Sequence, residues 1–243
     1  MDNYRDRPII VMGVNHAGTR VLVDMLSCLG SDAGDNENRW RESETFIRVH
    51  YLLLGCENKS EWNRMLFDLD LYRSDSFSYD EQKTRQFLDA EVPIHFPNRD
   101  KAPWHWKCPT SALFLDFWIK QYPDAYFLHI VRNKYDIAYS LMSRKQFRSL
   151  RNALEFYDLF EDKLASMRRH PVKYLKVDYH HLENELVKII DFLPFLKGNI
   201  DDATGLIRRK KKWFGWKRHL TVKTNLWNNY NILRLFFARR IKI

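Results

Sequence analysis

Apolar positions along the chain follow two rhythms. Ile9 to Met12 form a continuous apolar run that stops at Gly13, as a strand buried on both faces would. Leu22, Met25, Leu26 and Leu29 then recur at helical spacing, and Gly30 is placed to end that helix. Ala102 to Lys107 reads as a short strand, followed by Pro109 and a helix over Ser111 to Gln121 that stops before Pro123. "AYFLHIV", Ala125 to Val131, is the clearest central strand, and it runs into a loop that opens the helix of "RNKYDIAYSLMSR". A helix over Ala153 to Arg169, a strand over Val172 to Val177 and a helical stripe of Leu182, Leu186, Ile189 and Leu193 follow. From Ser31 to Lys101 the pattern is polar, aromatic and irregular, with helical patches around Phe46 to Leu54 and Glu81 to Ala90.

Strands alternating with helices predict an α/β fold with a central parallel sheet and helices on both faces. In such sheets ligands collect at the carboxyl ends of the strands, here the loops after Met12, Trp106 and Val131. With 243 residues and neither an internal repeat nor a low-complexity linker, residues 1–243 read as a single domain.

Charge and cysteine content narrow the function classes. No run of 18 apolar residues occurs, so a membrane-spanning helix is not expected. "MDNYRDRPII" lacks the apolar core of a signal peptide, and the expectation is a cytoplasmic protein. The three cysteines, Cys28, Cys56 and Cys108, suit reduced thiols and fit no zinc spacing. A net charge of +9 calls for anionic company, whether nucleic acid, anionic lipid or an anionic nucleotide. Much of it sits in a basic C-terminal segment from about residue 206 to 243, which holds "RRKKKWFGWKR" and "RLFFARRIKI". There Leu226, Tyr230, Leu233 and Phe237 share one helical stripe, so a basic helical tail is expected, docked on the body with weak contact to an anionic membrane surface.

"GVNHAGTR" after the first strand has the outline G-x-x-x-x-G of a phosphate-binding loop, with Thr19 in the lysine position and Arg20 after it. Backbone N–H groups in a tight turn and a helix N-terminus favour an anion whatever side chains surround them. What fails is the ATPase reading, which wants a lysine on the transferred phosphate. A strand-to-helix turn without a ligand remains the plain alternative for this segment alone.

"GVNHAGTRVLVDML" resembles the 5′-phosphosulfate loop of sulfotransferases that use 3′-phosphoadenosine 5′-phosphosulfate (PAPS), and it is most similar to carbohydrate-type members. The resemblance departs at His16, where the family carries a lysine or arginine two residues before the second glycine. A second segment, "FLHIVRNKYDIAYSLMSR", is similar to the family's 3′-phosphate site, with Arg132 at the strand end and Ser140 eight residues on; Asn133 and Asp136 also match. "YLKVDYHHLENELVKIIDFL" resembles the late strand-loop-helix, with Tyr179 and Leu182 in register. "RRKKKWFGWK" faintly resembles the C-terminal cofactor loop through Arg209, Lys210, Trp216 and Lys217, while Lys211 replaces a glycine. A solvated charged loop explains that run equally well.

What the resemblance implies can be written residue by residue. PAPS would be held by Asn15, His16, Ala17, Gly18, Thr19 and Arg20, by Arg132 and Ser140, and by Arg209 and Lys210. No metal is implied. His16 is the positional candidate for the cation at the leaving oxygen, with Lys107 of "WKCP" the alternative source of charge. The acceptor's proton would go to Glu44 or Glu42, with Glu37 less favoured and His105 a further contender. The acceptor would be a hydroxyl, less favourably an amine, with a carbohydrate or glycolipid among the classes. Its determinants fall in the variable segment 38–101, which resembles nothing in the family beyond its first few residues. The aromatic residues between Trp62 and Trp106 would suit stacking on a sugar ring and would equally suit a core. Competing readings are an anion-binding module without catalysis, a degenerate P-loop kinase, and a peripheral membrane or nucleic-acid protein driven by the tail. Of these last partners, nucleic acid is not expected.

Overall fold

A computed structural model describes residues 4–209, apart from Asn36 and residues 75–78. The basic helical tail expected over the last residues, and Lys210 with it, lie outside the described residues.

Four strands form one parallel sheet: β1 (Ile9–Met12), β2 (His105–Lys107), β3 (Tyr126–Val131) and β4 (Lys173–Asp178), in the order β2-β1-β3-β4. Ile10 pairs with Trp106 on one side and Phe127 on the other, and every residue of β1 is buried. The unbroken apolar run of the sequence is thus explained by a central strand covered on both faces. Between the strands lie α1 (Thr19–Cys28), α2 (Glu44–Leu54), α3 (Lys59–Met65), α4 (Leu69–Arg73), α5 (Glu81–His95), α6 (Leu115–Gln121), α7 (Lys134–Ser143) and α8 (Leu150–Ala165), and α9 (Leu182–Phe192) follows β4.

Alternation along the strands assigns the helices to the two faces. On one face His105 meets Ser31 just after α1, and Tyr126 packs edge-on against Phe192 of α9. On the other face Trp106 stacks on Phe46 of α2, with ring centroids 3.9 Å apart and planes 9° from parallel, and also meets Trp118 of α6. His129 on that same face bonds Glu161 of α8 at 2.9 Å. The expected α/β architecture, a parallel sheet flanked by helices, is therefore present.

Several boundaries differ from the sequence reading. The helix over Ser111 to Gln121 begins as a 3-10 turn (Pro109–Phe114) and becomes α-helical only at Leu115. The helix expected over Ala153 to Arg169 starts at Leu150, where Ser149 accepts a capping bond from the Asn152 N–H, and gives way to a 3-10 turn after Ala165. The stretch 31–101 is more helical than its pattern suggests: it forms α2 to α5. Asn58, Asp68 and Asp80 cap α3, α4 and α5 through their side chains. Its rings also divide differently: Trp104 and Trp106 are fully buried core, whereas Trp62 lines a cleft. Among the described residues no helix is long and apolar enough to cross a membrane.

Candidate functional site

Because all four strands run the same way, their carboxyl ends share one edge, and the chain places a functional group just past each. The loop 13–18 follows β1, Lys107 ends β2, Arg132 follows β3 and Tyr179 follows β4. These groups line one cleft of about 710 Å³.

The loop after β1 enters α1 through Gly18, whose φ of 111° is left-handed. A Cβ there would lie 2.3 Å from the Tyr179 ring, so the position needs glycine for backbone freedom and for space. No side chain caps α1, and its first turn holds no acidic residue, so the partial positive charge of the helix N-terminus is left for a ligand. His16 also has a positive φ, 73°, unusual for a residue with a side chain and a mark of a constrained loop. Asn15, His16, Gly18, Thr19 and Arg20 all line the cleft. Ala17 does not: it is fully buried, and its N–H already donates to the Val14 carbonyl at 2.9 Å.

Arg132 reaches the same space from β3. Its guanidinium donates to the His16 carbonyl at 3.3 Å, pairs with Asp136 at 3.5 Å and lies 4.9 Å from the centre of the Tyr179 ring. Its Nε is buried without a protein partner, and so is Asn15 Oδ1. Ser140, one turn from the end of α7, lines the cleft as well. Arg209 lies elsewhere. It is exposed on the helical stretch 200–209 and acts electrostatically on Cys28, at the end of α1 remote from the loop.

Lys107 is buried and gives one hydrogen bond to the Trp40 carbonyl (3.0 Å) and an ion pair to Glu42 (3.1 Å). Burial pushes its ammonium pKa down, while the Glu42 carboxylate pulls the other way. Of the two candidate bases, Glu42 lines the cleft and Glu44 does not. Glu44 begins α2, accepts a bond from Asn38 Nδ2 at 3.1 Å and faces Lys59. Glu37 is drawn off by Arg41 at 2.7 Å, which also holds Asp24. His105 shares a face with Lys107 but is fully buried and bonded to Ser31, with its pKa driven down by burial to about 3. It lies away from the cleft.

His16 is not a standing cation. Burial, with Arg144, Arg20 and Arg132 nearby, lowers its pKa to about 4, despite an opposing hydrogen bond with Gln146 at 3.0 Å. A neutral imidazole bonded to an amide oxygen must donate to it, so Nε2 carries the hydrogen.

Sequence reasoning missed Trp40, Arg39, Lys59, Arg144 and Gln146. Arg144 and Gln146 follow α7 only a few residues beyond Ser140, a signal within reach of the motif; the others belong to the segment without one. Among the described residues the cleft holds six Lys or Arg side chains against one carboxylate, Glu42, a balance that favours anions.

Residues 8–193 match the model described as the sulfotransferase family. Among solved structures, the sulfotransferase domain of the Synechococcus PCC 7002 olefin synthase has 18% identity and a TM-score of 0.55, over 84% of this chain and 78% of that one. A sulfotransferase from Mycobacterium avium has 15% identity and a TM-score of 0.46, over 84% and 67%. One from Mycobacterium tuberculosis H37Rv has 15% identity and a TM-score of 0.47, over 83% and 70%. No curated protein matches the sequence.

Proposed function

Because the chain belongs to the sulfotransferase family, we propose that it moves a sulfuryl group from PAPS to a hydroxyl, less favourably an amine, of an acceptor. One observation carries the proposal: the loop 13–20 and the Arg132–Ser140 segment, more than a hundred residues apart in sequence, line one cationic cleft. The residues suit such a donor. Arg132 keeps a buried N–H without a protein partner among the described residues, and an uncapped helix N-terminus faces the same space.

In this reading the loop N–H groups, the Thr19 hydroxyl and Arg20 hold the 5′ end of the nucleotide. Arg132, with its fork of donors, and Ser140 hold the 3′-phosphate. PAPS supplies the sulfuryl group. Glu42 takes the acceptor's proton, since its carboxylate faces the cleft beside Lys107. Lys107 keeps positive charge at that point, and His16 adds more by protonating as anions arrive. A carbohydrate or glycolipid hydroxyl is the acceptor class carried over from the sequence resemblance. The basic segment beyond residue 209 adds weak contact with an anionic membrane surface to the proposal.

A binding module without catalysis is the second reading, and the neutral His16 favours it. Transfer of radiolabelled sulfate from PAPS to a panel of hydroxylated acceptors separates the two. The proposal expects transfer by the wild-type chain. It also expects His16→Ala to lose most turnover while keeping its affinity for the nucleotide. Nucleotide binding with no transfer to any acceptor would establish the binding module instead.

A further inference from the structure

Beyond the groups the donor engages, the cleft carries a second set of charges, and their arrangement identifies the kind of acceptor; the inference rests on the donor reading above. Trp40, 38% exposed, stands at the cleft wall on the turn between α1 and α2. Three guanidinium groups surround its ring, with Arg39 4.8 Å, Arg20 5.2 Å and Arg144 5.9 Å from the centroid. None of the three forms an ion pair with a carboxylate among the described residues, and the one carboxylate of the cleft, Glu42, is already held by Lys107. Arg20 belongs to the donor loop. Arg39 and Arg144 come from outside it, and Lys59 of α3 lines the same cleft.

A guanidinium drawn to an indole face by its charge spends none of its N–H donors on an ion pair, so they remain for an anion. Such free forks match the oxygens of a carboxylate or phosphate. Beside them α3 contributes Trp62, which lines the cleft, is 3% exposed and has an indole N–H without a hydrogen-bond partner among the described residues. Leu66 and Phe67 continue that wall as an apolar surface. Like charges gathered around one ring repel each other and need an anion to offset them; an apolar wall with one unpaired donor needs a ring or hydrocarbon body bearing an acceptor atom.

We propose that the acceptor is itself an anion: a hydroxyl compound bearing a carboxylate or phosphate that Arg39, Lys59 and Arg144 hold, with a ring or apolar body packed on Trp40 and Trp62. The acidic group fixes the acceptor's orientation and leaves its hydroxyl to face Glu42.

The test is calorimetry on the whole chain, with and without saturating adenosine 3′,5′-bisphosphate. Three matched pairs are titrated: p-nitrophenyl β-glucuronide against the β-glucoside, 4-hydroxybenzoate against its methyl ester, and glucose 6-phosphate against glucose. In at least one pair the acid should bind about tenfold or more tightly than its neutral partner, as one charge-assisted fork requires. The preference should fall below about threefold in Arg39→Ala/Lys59→Ala, with bisphosphate affinity held within about twofold. Both side chains are exposed, so the variant keeps its fold. Equal binding in every pair, binding of neither member, or a preference that survives the double variant overturns the proposal. So does a comparable loss of bisphosphate affinity, which would assign these cations to the donor. Failure of the wild-type chain to bind bisphosphate is a separate result and counts against the donor reading alone, since the pairs are also titrated without it.

Discussion

His16 offers the most exacting test of how the cleft handles charge. In the free protein its pKa is lowered from 6.5 to about 4, chiefly by burial, with Arg144, Arg20 and Arg132 adding to the effect. Charging the ring there costs about 3 kcal/mol more than in water, at 1.36 kcal/mol per pKa unit. A phosphate charge placed about 4 Å away, at an effective dielectric of 20, returns about 4 kcal/mol, which would carry the bound-state pKa to near 7. Binding at pH 6 should then draw in about 0.9 proton, and binding at pH 8 about 0.1. Affinity for adenosine 3′,5′-bisphosphate should fall close to tenfold per pH unit as pH rises from about 4 to 7, then level off. The free protein shows the opposite trend. Its folded-state pKa is depressed, so the unfolded chain binds more protons between about 4 and 6.5, and the stability His16 contributes is lost as pH falls through that window. Calorimetry in buffers of different ionisation enthalpy measures the proton uptake, and His16→Gln subtracts the ligand's own titration. Equal uptake by wild type and His16→Gln would refute the argument, as would an imidazole that stays neutral by NMR in the complex.

Two further outcomes follow from the geometry. Gly18→Ala places a Cβ 2.3 Å from the Tyr179 ring at a φ of 111°, so it should cost about 2–3 kcal/mol of stability by denaturant titration. It should also weaken bisphosphate binding about tenfold, because Arg132 rests over the displaced ring; unchanged affinity would uncouple Tyr179 from the site. Glu42→Gln should lower the rate of sulfate transfer by two orders of magnitude or more with little change in nucleotide affinity, while Glu44→Gln should stay within about threefold of wild type. Equal losses in the two would return the proton-acceptor role to an open contest.

The sheet and the cleft residues after β1 and β3 were legible in the sequence because local rules and a family resemblance point to them. Ile9 to Met12 can only be a strand covered on both faces, and Gly13 and Gly18 bracket a turn whose dihedrals few other residues tolerate. Arg132 and Ser140 were found through the resemblance to the sulfotransferase family, whose spacing of the two a strand end and one helix preserve here. The cleft wall formed by residues between 38 and 67 was not legible, since it is assembled from short helices with weak periodicity. Signals were present in Asn58, Asp68 and Asp80, each of which caps a helix in 31–101, yet a cap says where a helix starts and not where it packs. Trp40 and Arg144 stand 104 positions apart and meet only through the folded sheet edge. Glu42 and Glu44 looked alike in sequence, and a two-residue step separates a cleft carboxylate from one tied to Asn38. Arg209 drew notice through a faint resemblance within a basic run, and its helical stretch sits against the far end of α1.

The central claim is that the loop after β1 and Arg132 together hold a nucleotide carrying phosphates at both its 3′ and 5′ positions. Titration of the chain with adenosine 3′,5′-bisphosphate and, separately, with ATP and magnesium tests it directly. The account predicts clear binding of the bisphosphate, collapse of that binding in Arg132→Ala, and much weaker binding of ATP. Tighter binding of ATP with magnesium, or bisphosphate affinity that survives Arg132→Ala, would contradict it.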